Sequence, residues 1–280
     1  MSPDATSDTT VIGDGGIDVA VRSWPGTDPP PGLVFVHATG FCKEVWEPVI
    51  DAVATDPFSW ISMDLRGHGD SGPGEFPYHW DLLGGDVLAV VAGRTAMVGV
   101  GHSCGGAALV RAEAARPGTF RHLVLIEPII FPTPARRLEG PMSAVARKRR
   151  SVFESRQAAK ERFKSGPFAA WTEQSLDAYL DGGFRESARG LELKCAPEVE
   201  ADYYAEGSNH DTWDLARSLD IPVTLVAGET SDSHQEPFLG SLVSRFRHGK
   251  LVVVKGVGHL VPMEDPQELA RIVDRAIGTI

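Results

Sequence analysis

Six stretches of this chain are unbroken runs of Val, Leu, Ile and Met rather than alternations of apolar and polar residues. They lie near Leu33–His37, Trp60–Asp64, Met97–Val100, His122–Ile130, Ile221–Glu229 and Lys250–His259. A strand with one wet face alternates, whereas a strand covered on both faces does not. Helical patterns separate several of these runs, at Glu44–Ala54, Trp80–Ala92 and from Ala107 onward. Buried strands joined by helices demand an α/β fold, with a mostly parallel central sheet and helices on both of its faces. Thr10–Ile12 and Ile17–Trp24, around "GDGG", read as an N-terminal hairpin, and "PGTDPPPG" as a loop.

From Phe131 to about Trp213 no convincing buried strand is found, and Ala-rich, charged helical segments dominate. The expected organisation is a core over residues 1–132, an all-helical insertion over 133–215, and the rest of the core over 216–280. The basic run Arg147–Arg150 sits in that insertion and reads as a solvated helix face rather than a nucleic-acid contact. The net charge of −11 and pI near 5.3 argue against nucleic acid and anionic membranes as partners. Three cysteines, Cys42, Cys104 and Cys195, form no disulfide framework or zinc spacing, and no metal is expected. The polar N-terminus does not read as a signal peptide, and no apolar run is long enough to span a membrane. These features lead to an expected cytoplasmic protein. A homodimer is compatible with the sequence.

Ligands of open α/β sheets gather at the carboxyl ends of the strands. The sharpest feature there is "GVGHSCGGA", in which Ser103 has Gly101 and Gly105 two residues to either side. A strand that turns into a helix within so few residues forces one residue into strained geometry. Its neighbours come too close for a β-carbon. A serine at that point stands out at a helix N-terminus, where backbone N–H groups and the helix dipole favour an attacking oxygen and its developing charge.

"VFVHATGF", "MDLRGHGDSG", "GVGHSCGGA", "VLIEPI", "TLVAGETSD" and "GVGHLVPMEDP" follow one another in this order. With them the chain resembles the α/β-hydrolase superfamily, in its serine-nucleophile branch with a helical cap. The resemblance covers nearly all of the chain outside the insertion. It implies that Ser103 is the nucleophile and His259, in "GVGH", its base. A serine hydroxyl needs such a base near neutral pH. His37, His68 and His102 are expected to be structural or pocket-lining. Two residues compete for the carboxylate that orients His259. Asp232, in "GETSD", is the first candidate, although the commoner place for the acid, three residues after the glycine, holds Ser231. Glu127, in "LIEPI", is the alternative. The resemblance further implies an oxyanion hole from the backbone amides of Cys104 and Thr39. "DLRGHGDSG" is expected to anchor a turn and to carry no chemistry.

A serine in the elbow excludes the branches that attack with an aspartate there. The implied activity is hydrolysis of a medium-sized, mainly apolar carboxylic ester or lactone, without a cofactor. The insertion would supply apolar residues such as Phe131, Met142, Phe153, Phe168 and Trp171 to the pocket. Carbon–carbon bond hydrolysis, a cofactor-free lyase, perhydrolysis and a non-catalytic binding protein are the other readings of the same fold.

Overall fold

A computed structural model describes residues 6–24, 32–54, 59–132, 140–207 and 209–278. The expected loop at Pro25–Pro31 and the start of the insertion at Thr133–Glu139 lie outside these described residues. The chain opens with β1 (Ser7–Ile12) and β2 (Asp18–Trp24), an antiparallel hairpin as expected. β3 (Leu33–Val36), α1 (Glu47–Ala52), β4 (Trp60–Met63), α2 (Trp80–Val90), β5 (Met97–His102), α3 (Cys104–Ala115) and β6 (Phe120–Ile126) follow. The insertion contributes α4 (Pro141–Arg147), β7 (Val152–Phe153), α5 (Arg156–Lys164), α6 (Glu173–Gly182), β8 (Phe184–Ser187), β9 (Gly190–Leu193) and α7 (Pro197–Glu206). α8 (Thr212–Leu215), β10 (Pro222–Gly228), α9 (Phe238–Val243), β11 (His248–Val254), α10 (Val261–Glu264) and α11 (Pro266–Ile277) complete the order.

Eight strands form one sheet in the order β1-β2-β4-β3-β5-β6-β10-β11. β1 and β2 enter antiparallel, and every pairing from β4 to β11 is parallel. Because successive side chains of a strand point to opposite faces, one strand feeds two cores. Phe35 packs on the side of Trp46, Trp60, Val98 and α11, while Val34 and Val36 pack on the side of Leu83, Leu109 and α2. That double burial is why the strands read as unbroken apolar runs.

The insertion departs from the sequence reading. It is not all helical, because β7, β9 and β8 form a small antiparallel sheet. Its strands are two to four residues long and expose a charged face, with Arg185 and Glu186 outward and Phe184, Leu191 and Leu193 inward. Such short, charged alternations give no continuous apolar run to detect. The inner side joins an aromatic cluster in which Phe168 stacks on Trp171 (centroids 4.1 Å apart) and Tyr179 meets Phe41, Phe163 and Phe184. The strand expected over His122–Ile130 ends at Ile126, where Glu127 turns to φ +41°.

The elbow between β5 and α3 shows the crowding that its glycines imply. A β-carbon on Gly105 would stand 2.2 Å from the Val36 carbonyl oxygen, and one on Gly101 would stand 2.7 Å from the Gly105 carbonyl oxygen. Both obstacles are backbone, so neither can swing aside. Gly105→Ala is therefore expected to lower stability by about 3 kcal/mol or to prevent folding. Thermal unfolding of the purified variant checks this, and an unchanged melting temperature would contradict the packing.

Candidate active site

Ser103 sits between β5 and α3 with φ +53° and ψ −113°, a conformation that is costly for a residue with a β-carbon. The cost is sustained by a surrounding set of backbone bonds. Ser103 N–H donates to Ile126 O (2.9 Å), and Ser103 O accepts from Gly106, Ala107 and Ile129. The elbow is thus tied to the end of β6 and to the turn that carries Glu127.

His259 follows β11, and the two ends of the site meet there. His259 Nδ1 lies 2.6 Å from Glu127 Oε2. An Nδ1–H donor makes that contact favourable, which leaves the lone pair of a neutral ring on Nε2. Behind it, His102 Nε2–H donates to His259 O (3.0 Å), which steadies the loop. Ser103 and His259 line one cavity of about 250 Å³, together with Thr39, Phe41, Met142 and Phe168.

The structure brings Glu127, the alternative candidate, rather than Asp232 to His259. Asp232 is exposed and has no hydrogen bond to His259, whereas Glu127 is fully buried and pairs with it. Ser231, which occupies the commoner place for the acid, donates its hydroxyl to Glu127 Oε2 (2.7 Å). Gly228 N–H donates to Oε1 (2.8 Å). Burial alone would raise the Glu127 carboxyl. Contacts with His234, His259 and Ser231 outweigh it and hold the group well below the usual carboxylate range. The carboxylate therefore stays charged and can stabilise an imidazolium.

His234 escaped the sequence reading. It is buried with Nδ1 3.4 Å from Glu127 Oε2 and 3.0 Å from the Ser233 hydroxyl, and its Nε2 lies 3.1 Å from Pro128 O. Nothing in "SDSH" betrayed this role, because the partner carboxylate lies more than a hundred residues earlier in the chain. Glu127, His234 and His259 bring possible metal-ligating atoms within 4.8 Å of one another. The same side chains are linked to one another and to Ser231, Ser233 and Pro128 by short polar contacts.

The turn after β3 carries the other expected donor. Gly40 N–H donates to His68 Nε2 (2.9 Å) and Phe41 N–H to Ala38 O (3.2 Å). No backbone carbonyl among the described residues accepts from Thr39 N–H or Cys104 N–H. Both residues lie beside Ser103, Thr39 on the cavity wall and Cys104 next in the chain. The Cys104 thiol itself is fully buried, and burial pushes it up to about 12. It is not a nucleophile at neutral pH.

"DLRGHGDSG" does more than end a core strand. His68 accepts from Gly40, and Asp64 accepts from Lys43 N–H (2.7 Å) and the Lys43 ammonium (2.9 Å). The loop thereby braces the turn that bears Thr39. His37 is structural as expected, accepting from Leu65 N–H at Nε2 (3.0 Å) and donating from Nδ1 to Ala38 O (2.7 Å).

The cavity is less apolar than the sequence implied. Of the five apolar candidates in the insertion, Met142 and Phe168 line it. Phe153 lines a neighbouring groove, and Trp171 supports Phe168 from behind. Phe131 packs instead on Phe238. Arg149, Glu200 and Tyr204 are polar additions to the wall. Arg149 donates to Glu200 Oε2 and to Tyr179 Oη (3.1 Å), and Tyr179 Oη donates to Gly40 O (3.3 Å). This chain of bonds ties the insertion to the turn after β3.

An eight-stranded, mostly parallel sheet with a serine elbow and a histidine–carboxylate pair at its carboxyl edge defines the α/β-hydrolase class. The sequence model described as "Alpha/beta hydrolase family" matches residues 33–272. The chain belongs to the alpha/beta hydrolase family and is a hydrolase. Among curated proteins it is 27% identical over 242 residues to the 2-(acetamidomethylene)succinate hydrolase of Mesorhizobium japonicum, covering 85% of this chain and 84% of that one. It is 26% identical over 272 residues to lipase LipV of Mycobacterium tuberculosis, covering 94% and 98%. Among solved structures, an E-2-(acetamidomethylene)succinate hydrolase superposes with a TM-score of 0.85 at 24% identity, over 97% of this chain and 99% of that one. No helix of the described residues is long and apolar enough to cross a membrane.

His68 supplies a test of the brace. Burial lowers it from 6.5 to about 4, which keeps it neutral and able to accept from Gly40. A base whose folded pKa is depressed contributes stability above its unfolded pKa, and this is lost as the pH falls from about 6.5 toward 4. His68→Gln should flatten the stability-versus-pH slope in that window by up to about 1.4 kcal/mol per pH unit, one proton's worth. Urea titrations of both proteins across the window read this directly. Parallel slopes would mean that His68 does not titrate with folding.

Proposed function

We propose that this protein is a serine hydrolase of carboxylic esters, with Ser103 as nucleophile, His259 as base and Glu127 as the orienting acid. The observation that carries the reading is the 2.6 Å contact of His259 Nδ1 with the buried Glu127, in a cavity that Ser103 also lines. In this mechanism Ser103 Oγ attacks the ester carbonyl carbon and its proton passes to His259 Nε2. The Cys104 and Thr39 amides receive the charge on the former carbonyl oxygen. Collapse of the tetrahedral adduct expels the alcohol, which takes the proton from His259, and leaves an acyl-Ser103 ester. Water then attacks the acyl carbon, gives its proton to His259, and the acid departs as Ser103 recovers its proton. Glu127 remains ionised throughout and stabilises the imidazolium.

The insertion serves as a cap, with Met142 and Phe168 beside Ser103. A cavity of about 250 Å³ suits a modest apolar acyl or alcohol group. Lactones of that size are substrates of the same mechanism. The curated relatives, a hydrolase and a lipase by name, support hydrolysis as the reaction class.

A panel of p-nitrophenyl esters of rising chain length, with aromatic esters and lactones, tests the reading. Ser103→Ala should abolish turnover of every member while leaving the fold intact by circular dichroism. Glu127→Gln should lower kcat by roughly 10^4-fold, because the imidazole loses its orienting charge. Asp232→Asn should stay within about twofold of the parent, as surface changes away from a site usually do. A large loss from Asp232→Asn with little from Glu127→Gln would refute the assignment of the acid.

A further inference from the structure

The Ser103 cavity shares part of its wall with a second, larger groove. Met142, Arg149, Phe168, Glu200 and Tyr204 line it and also line a groove of about 900 Å³ within the insertion. Two kinds of side chain converge on that groove. Met142 and Val145, on α4, are 59% and 70% exposed and so are among the few large apolar side chains left in water. Lys148, Arg149, Arg150 and Arg162 supply four cations against one carboxylate, Glu200.

The pairing of these charges is informative. Arg149 is committed to Glu200 and Tyr179. Lys148, Arg150 and Arg162 have no carboxylate within ion-pair distance among the described residues. Elsewhere in the insertion Arg147, Arg156, Lys160 and Lys164 all meet Asp or Glu partners. A chain of net charge −11 has carboxylates to spare, yet among the described residues only one carboxylate, Glu200, lines this groove. A solvated helix face would account for one such cation. It does not account for three that converge, from the turn after α4 and from α5, on a partly apolar groove adjoining the nucleophile's cavity.

We propose that the groove binds the distal carboxylate of an amphipathic substrate. The scissile ester lies at Ser103, an apolar chain runs past Met142 and Phe168, and the carboxylate reaches Lys148, Arg150 and Arg162. The substrate class is the monoester of a medium-chain dicarboxylic acid. Guanidinium and ammonium groups at a concave, partly apolar surface bind such an anion more tightly than scattered surface charges do. This proposal rests on the ester-hydrolase reading for its chemistry but not for its binding, and the two can fail separately.

The kinetic arm compares p-nitrophenyl octanoate with the mono-p-nitrophenyl ester of octanedioic acid. The parent protein should show a kcat/KM at least about tenfold higher for the anionic ester, the equivalent of one good charge-assisted contact. The Lys148→Gln/Arg162→Gln double variant should lose that preference through KM, with turnover of the neutral ester unchanged. Added sodium chloride should weaken the anionic ester alone. Equal kcat/KM values for the two esters in the parent protein, or equal losses for both in the variant, would overturn the proposal.

The binding arm does not depend on catalysis. Fluorescence titration with dansyl-aminoundecanoic acid and its neutral methyl ester is run on Ser103→Ala with and without the double substitution. Preference for the acid, lost on removal of the two cations, supports the groove even if no ester is hydrolysed. Indifference to the carboxylate overturns it even if esters are good substrates.

Discussion

The close approach of α3 to the end of β3 is the constraint on which the rest of the site depends. Gly105 lies so near the Val36 carbonyl that no side chain fits between them. That contact fixes where β5 must turn, and the turn drives Ser103 to φ +53°. It also brings the Cys104 amide and the turn holding Thr39 to the same place. The strain at Ser103 persists because its own amide and carbonyl are bonded to the strand end and turn beside it. Ser103, the Cys104 amide and the turn that holds Thr39 are thus brought together by one backbone packing.

Electrostatics then decides what the strand ends can do. Among the described residues no Lys or Arg touches the buried Glu127, yet it stays ionised because Gly228, Ser231 and His259 all donate to it. His234 closes the network on its far side. A carboxylate satisfied in this way can hold His259 in one tautomer and one orientation. The second polar network, from Asp64 through Lys43 and from His68 to Gly40, has the same logic. It holds the turn that places Thr39 on the cavity wall.

The insertion combines rigidity with an unusual surface. Its aromatic cluster and the Arg149–Tyr179–Gly40 chain lock it to the core. Its groove-facing rim instead leaves cations and apolar side chains exposed together. Exposed apolar surface beside cations without carboxylate partners is what the proposed ligand would cover.

Much of this was legible in the sequence, and the reason is local. Unbroken apolar runs report double burial, so the parallel sheet followed from them. Gly101 and Gly105 report a crowded turn, so Ser103 stood out, and the order of the short stretches placed His259 at a strand end. Three matters were decided only by the tertiary structure. Asp232 and Glu127 both follow strands, and sequence alone cannot say which carboxylate points inward. The register of β6 beside β10 buried Glu127 and left Asp232 in water. The small sheet of β7, β8 and β9 pairs strands too short to carry a pattern of their own. Lys148, Arg149 and Arg150 come to line one groove with Arg162 only once α4 and α5 have folded around it. Periodicity records what each residue's own segment buries. Which side chains from distant segments face one another is set by packing.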